Sequence, residues 1–167
     1  TNKLLSFERA SGTDVSQTGS PIDLTRLISN AVSAFEQNHP KAGLTVTQDL
    51  PQESLIIQAD QTMLQEAIIN IFSNCLVHGG PHLTGIWVTL RKSGAGAEIL
   101  IRDDGIGIPE ERHLEALSRF SQAGGGPGSG LGLAIAARVM KNHGGQLSIL
   151  SSPQGATIKL SLSLLDL

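Results

Sequence analysis

Four polar residues, Glu66, Asn70, Asn74 and His78, recur every fourth position along one predicted helix. Successive members stand about 6 Å apart along the axis and share one edge. An apolar stripe of Leu64, Ala67, Ile68, Ile71 and Cys75 runs beside them. The carboxamides of Asn70 and Asn74 could offer a neutral oxygen to a hard cation such as magnesium, and N–H donors to phosphate oxygens. A solvated helix face has the same pattern, so this helix alone decides nothing.

Two later segments carry further chemistry. In Asp103-Asp104-Gly105-Ile106-Gly107-Ile108-Pro109 the first aspartate closes a predicted strand. Glycines at alternate positions allow a tight turn and the approach of a flat ligand without Cβ obstruction. A partly buried carboxylate at Asp103 would accept from an exocyclic amine and repel the acceptor that guanine places there, which is a way to read adenine. A plain turn entering a capped helix has the same local sequence. Further on, Gly124, Gly125, Gly126, Gly128, Gly130 and Gly132 run into the start of a helix at Leu131. Free N–H groups and the positive end of the helix dipole make such a junction an anion cradle. No Gly-Lys-Ser/Thr follows, as a Walker loop needs, and no strand immediately precedes, as a dinucleotide fingerprint needs. A flexible linker is the plain alternative. Each segment is ordinary alone, but in this order and separation the three point to an ATP site.

The elements that must hold these residues follow from periodicity. Residues 1–10, with Leu4, Leu5 and Phe7, look like the tail of a helix belonging to something upstream, and the polar, glycine-bearing residues 11–20 read as a linker. Residues 21–167 form the globular part. An amphipathic helix fits Leu24, Leu27, Ile28, Ala31, Val32 and Phe35 and ends near His39-Pro40, because proline disfavours helix in the residue before it. Strands are predicted over 44–48 and 55–58, and Asp60 is placed to cap the long helix that runs through Val77. Residues 86–91 and 97–102 read as paired strands. A short helix follows, with Pro109 at its first position and Glu110 and Glu111 in its first turn. A helix over 131–143 stops at Gly144-Gly145, and strands over 146–151 and 157–163 close the domain. Adjacent strand pairs mixed with helices predict an α+β two-layer sandwich, its mixed and mostly antiparallel sheet covered by helices on one face.

Composition narrows the function classes. At 167 residues one core is expected, burying roughly 68–70% of the unfolded surface. A net charge of −3, no Tyr, one Trp and four Phe leave a nucleic-acid surface without its charge or its stacking platforms. The single Cys75 reads as a small core residue. No apolar run approaches the ~18 residues of a membrane span, so no membrane contact and a cytoplasmic location are expected of this domain.

The three segments resemble the N, G1 and G2 boxes of the GHKL superfamily, whose nucleotide domain has the Bergerat-type fold. The layout over roughly residues 20–164 resembles the catalytic ATP-binding domain of bacterial sensor histidine kinases. By that resemblance ATP and magnesium are the cofactors, and Asn74 would coordinate magnesium while Asn70 supports it or touches phosphate. His78 would belong to the same nucleotide-facing edge. Asp103 would bind the adenine amino group, with Gly105, Gly107 and Ile108 shaping the base pocket. Phe120 would anchor the lid, and Gly128, Gly130, Leu131 and Gly132 would form its hinge and the phosphate contacts. Residues 1–10 would end the dimerisation helix of a homodimeric parent anchored in the inner membrane or soluble, which would supply the phosphotransfer histidine and meet a response regulator.

Two departures thin the phosphate contacts. Val77 stands where the family often has lysine, and Gln122 where it usually has arginine. Arg119 is the best remaining cation near the lid. The hydrolysing branches of the superfamily place a glutamate four residues before the magnesium asparagine, and here that position is Asn70. An amide cannot take a proton from water, so transfer to an acceptor on another element is favoured over hydrolysis. None of His39, His78, His82, His113 and His143 is followed by the Glu/Asp-x-x-Thr/Asn-Pro pattern of a phosphorylated helix, so the acceptor is expected outside this chain. The alternatives are an anti-sigma-type serine kinase and a degenerate interaction module that no longer binds nucleotide.

Overall fold

Alternation of apolar and polar residues gives the central strands one buried and one open face. Ile86, Val88 and Leu90 of β4 (Gly85–Ser93), Ala97, Ile99 and Ile101 of β5 (Gly96–Asp103), and Ile158, Leu160 and Leu162 of β7 (Thr157–Ser163) are all buried. Between them Trp87, Arg102 and Thr157 occupy one row across the other face, with the Arg102 guanidinium 4.3 Å from the Trp87 ring centroid. These coordinates are a computed structural model, which describes residues 19–40, 43–117, 131–150 and 152–165. The expected helix tail over 1–10 and most of the expected linker lie outside them.

The five-stranded sheet has the order β2-β4-β5-β7-β6, with β2 at Thr45–Asp49 and β6 at Gln146–Leu150. β2 runs parallel to β4 and every other pairing is antiparallel. Helices α1 (Leu24–Asn38), α2 (Gln61–His78) and α4 (Leu131–Asn142) supply the second layer of the same hydrophobic core. The predicted two-layer α+β sandwich is the observed architecture.

Local signals account for most boundaries. Asp60 caps α2 as expected, its Oδ1 accepting from the Met63 N–H at 3.0 Å. Asp23 does the same for α1 through Thr25 at 2.9 Å. At the end of α4 the Gly145 N–H donates to the Met140 carbonyl and the Gly144 N–H to that of Lys141, with Gly144 at φ +71°. That is a Schellman stop, which the Gly-Gly pair allows.

Two expectations need correction. A strand β1 (Ser20–Asp23) pairs with β3 (Ile56–Ala59) as a separate two-stranded antiparallel sheet, so Ser20 belongs to the folded domain and not to a linker. The strand after Pro51 therefore lies outside the main sheet. Pro109 is not a first helical residue: its ψ of 142° is extended, and it precedes a 3-10 turn at Glu110–Arg112 that leads into the five-residue α3 (His113–Leu117). The Pro109 carbonyl accepts from the Arg112 N–H, the short ring that a 3-10 turn requires.

Candidate nucleotide-binding site

Helix α2 carries the two carboxamides, and its periodicity decides their surroundings. Asn70 is 6% exposed and Asn74 is half-buried, while His78 at the helix end is exposed. The predicted polar edge is thus graded, with Asn70 drawn into the core side by its neighbours Ala67 and Ile71. Nδ2 of Asn70 is buried without a hydrogen-bond partner among the described residues. An orphaned buried donor costs about 1–3 kcal/mol. Such a group is tolerated where a ligand completes it.

Asp103, 4% exposed as a residue, ends β5. Its Oδ1 accepts from the Gly105 N–H at 2.9 Å and from the Ala156 N–H at 3.2 Å. Both backbone donors therefore fall on one oxygen, and the other takes neither. The Cys75 thiol, one residue past Asn74, also meets this carboxylate. Burial pushes the thiol well above its ordinary pKa, and the Asp103 charge and a hydrogen bond from the thiol push it further. Cys75 is a core residue as expected, but one whose thiol is held protonated near Asp103, a proximity the sequence does not announce.

The glycines of this loop also pack closely against backbone. A Cβ on Gly105 would sit 2.4 Å from the Gly79 carbonyl oxygen, and one on Gly107 2.7 Å from that of Gly155. The space is filled by backbone, so these glycines dock the loop between the end of α2 and the turn that joins β6 to β7. The Ile106 N–H donates to the Gly79 carbonyl at 2.9 Å. Gly107 and Gly155 also adopt φ +81° and +71°, which glycine alone takes at no steric cost. Ile108 is half-buried against the core, and its carbonyl accepts from His113 Nε2 at 3.0 Å.

A cleft of about 500 Å³ opens between residues 105–110, His113 and residues 152–155. Gly105, Gly107 and Ile108 line it, whereas Asn70, Asn74 and Asp103 do not. The base-side glycines thus share a wall that the amides and the carboxylate do not reach. Leu131 opens α4 and Gly132 follows it, buried. Arg119, Phe120, Gln122, Gly128 and Gly130 lie outside the described residues. Val77 is 52% exposed at the position where the resemblance expects lysine.

The sequence matches the family described as histidine kinase-, DNA gyrase B-, and HSP90-like ATPase over residues 59–166. The chain belongs to this family. It is 33% identical over 168 residues to the sensor-like histidine kinase SenX3 of Mycobacterium bovis, covering 96% of this chain and 40% of that protein. It is 33% identical over 137 residues to the sensor-type histidine kinase PrrB of Mycobacterium leprae, covering 81% of this chain and 30% of that protein. Among solved structures, the ATP binding domain of PrrB from Mycobacterium tuberculosis aligns with TM-score 0.72 at 31% identity, over 89% of this chain and 98% of that one. Full-length ShkA in complex with AMPPNP aligns with TM-score 0.82 over 99% of this chain and 35% of that one; at 21% identity this is a likeness of fold. The chain thus aligns over most of its length with the ATP binding domain of PrrB and spans about two fifths of SenX3.

Two groups at the site went unnoticed in the sequence. Gly155 was missed because a glycine in a hairpin turn is ordinary; only its closeness to Asp103, where a Cβ would stand 1.9 Å from the Asp103 carbonyl oxygen, makes it special. Asp104 was missed because its partners Thr84 and Gly85 are 20 and 19 residues away.

Proposed function

We propose that this domain binds ATP with magnesium and transfers the γ-phosphoryl group to a histidine on a dimerisation domain of the same parent protein. The reading rests on one observation above others: the buried Asp103 carboxylate keeps one oxygen clear of its two backbone donors while its loop is locked to the helix that bears Asn70 and Asn74. The oxygen that takes neither backbone donor suits the exocyclic amine of adenine. The orphaned Nδ2 of Asn70 suits a phosphate oxygen, and the half-buried Asn74 offers its amide oxygen to the metal. Magnesium, when bound, would supply positive charge to offset the negative charge of the phosphates. A single amide ligand fits it, because this ion keeps phosphate oxygens and waters as its other ligands. His78, Phe120, Gly128, Gly130, Leu131 and Gly132 would complete the nucleotide surroundings, and Arg119 would stabilise charge on the transferred group.

In the transfer an imidazole nitrogen attacks the γ-phosphorus and the bond to the bridging oxygen of ADP breaks, so the chain's own work is positioning and charge stabilisation. Asn70 cannot serve as a base for water, which supports transfer over hydrolysis. The parent would be a homodimer that passes its phosphate to a response regulator, with this domain in the cytoplasm. Among the described residues no helix is long and apolar enough to cross a membrane.

Radioactive ATP tests the proposal. The 167-residue chain alone should bind ATP but neither label itself nor hydrolyse ATP appreciably. Adding the parent's dimerisation helices should give label on histidine that is acid-labile and base-stable. Acid-stable label on serine of a separate partner would point to the serine-kinase alternative, and absence of nucleotide binding to the degenerate module. In the same assay Asn74→Ala should abolish the magnesium effect on ATP affinity more than it weakens adenosine binding. Equal ATP affinity with magnesium and with chelator in the parent chain would remove the metal role.

A further inference from the structure

Asp103 and Asp104 are neighbours with opposite fates. Side chains alternate along an extended chain, so Asp103 turns into the core and Asp104 turns out toward the start of β4. The Asp104 carboxylate is fully engaged there: Oδ1 accepts from the N–H groups of Thr84 at 2.9 Å and Gly85 at 3.1 Å, and Oδ2 accepts from the Thr84 hydroxyl. The segment 79–84 joins α2 to β4. Its first residue is held by Ile106 and by the close packing of Gly105 on Gly79, and its last by Asp104. The loop that follows Asp103 is therefore fastened at both ends of the segment that leaves the carboxamide helix.

We propose that Asp104 is a positioning residue whose clasp on Thr84 and Gly85 sets where the Asp103 carboxylate stands relative to Asn70 and Asn74. The proposal rests on the nucleotide-site reading above. Without the clasp the loop keeps its docking at Gly79 and Gly155 but loses its hold on the start of β4, the strand that follows α2. Thr84 is exposed and Asp104 only half-buried, so little core packing depends on the pair. Hydrogen bonds from the Thr84 hydroxyl and backbone, followed by that from Gly85, hold the Asp104 carboxyl at about 2, below its ordinary 3.8. The clasp is thus charged throughout the neutral range.

Calorimetric titration of the full 167-residue chain with ATP, ADP and adenosine tests this, with thermal melts run alongside. Asp104→Ala should weaken all three ligands about five- to tenfold, because the base end is misplaced, while the chain remains folded. Asp104→Asn keeps an acceptor oxygen for the two N–H groups and should recover most of the affinity. Thr84→Val should weaken binding about two- to threefold, and should add nothing to Asp104→Ala, since the hydroxyl contact it removes is already lost there. A lowered melting temperature with unchanged adenosine affinity in Asp104→Ala would overturn the proposal, as would full additivity of the two substitutions. If Asp104→Ala fails to fold, Thr84→Val decides: unchanged adenosine affinity overturns the role, weakened affinity rescued in no other way supports it. Parent protein that binds no adenine compound would defeat the nucleotide reading and this proposal together, whereas a binding parent with indifferent variants defeats only the role of Asp104.

Discussion

The two ends of α2 are fastened by different means. At the N-terminal end side chains do the work: Asp60 caps the helix through Met63, and its own N–H donates to His143 Nε2 at 3.1 Å while His143 Nδ1 donates to the Val139 carbonyl at 2.7 Å. That ring, in its Nδ1–H tautomer, ties the start of α2 to the end of α4. At the C-terminal end backbone meets backbone, with Gly105 against Gly79 and Gly155 against Asp103. Each end also has a buried amide nitrogen nearby without a partner among the described residues, Asn142 at the first and Asn70 on the second half of the helix. An orphaned donor by itself therefore does not mark a binding site. What separates the two is company: Asn70 is followed one turn later by Asn74 and then by Cys75, whose thiol is held protonated near a buried carboxylate, while Asn142 has a capping histidine beside it. Side-chain fastening tolerates exchange, and backbone fastening leaves no room for a Cβ.

That contrast predicts its largest effect at Gly155. Gly155→Ala would combine a strained φ of +71° with a Cβ 1.9 Å from the Asp103 carbonyl oxygen, and should cost about 3 kcal/mol of stability. Chemical denaturation checks this, and a loss under 1 kcal/mol would mean that the backbone junction yields easily. Next comes the carboxylate itself. Asp103→Asn should lose about 1.5–3 kcal/mol of adenine-nucleotide affinity, the range for a hydrogen bond to a charged group, and GTP should compete far less well than ATP in the parent protein. Competition by GTP at the same strength as ATP would remove Asp103 from base recognition.

The opposite end should respond in stability alone. His143→Ala removes the acceptor for the Asp60 N–H and the donor to Val139, and should cost about 1 kcal/mol without altering ATP affinity well below the melting temperature. A matching fall in affinity would show that the two ends are coupled through α2. The smallest expected effect concerns acid. Because the folded-state pKa of Asp104 is lowered from 3.8 to about 2, its contribution is present above pH 3.8 and lost as pH falls through about 2. Solvent screening keeps it small. Thr84→Val should flatten the part of the acid-unfolding profile between pH 4 and 2, and an unchanged profile would mean that the hydroxyl contributes nothing to the shift.

Much of this arrangement was legible in order and spacing. The amphipathic period of α1, the Asp60 cap, the Gly144-Gly145 stop and the alternation of β4, β5 and β7 are local rules, satisfied within a few residues of where they are written. Asn70, Asn74 and Asp103 were likewise identifiable, since a four-residue repeat and a strand-closing Asp-x-Gly-x-Gly are sequence patterns. The pairing of β1 with β3 was not, because a four-residue edge strand containing Pro21 has too few alternating positions to stand out from a linker. Pro109 misled for a related reason: proline suits the first helical position, but the extended ψ of 142° follows from where the docked loop enters the turn.

By itself, then, the sequence determined which residues could do chemistry and on which elements they ride, because helix period, strand alternation and caps act over short chain separations. Only the tertiary structure decided their surroundings. It buried Asn70 and left its amide nitrogen without a partner, placed both backbone donors on one oxygen of Asp103, and brought the Cys75 thiol to that carboxylate. It also packed Gly105 and Gly107 against the backbone of Gly79 and Gly155 while they line the cleft, and set Asp104 at the start of β4. Each of these depends on contacts between segments far apart in the chain, and on atoms closer than a side chain's width, which no local pattern of residue types encodes.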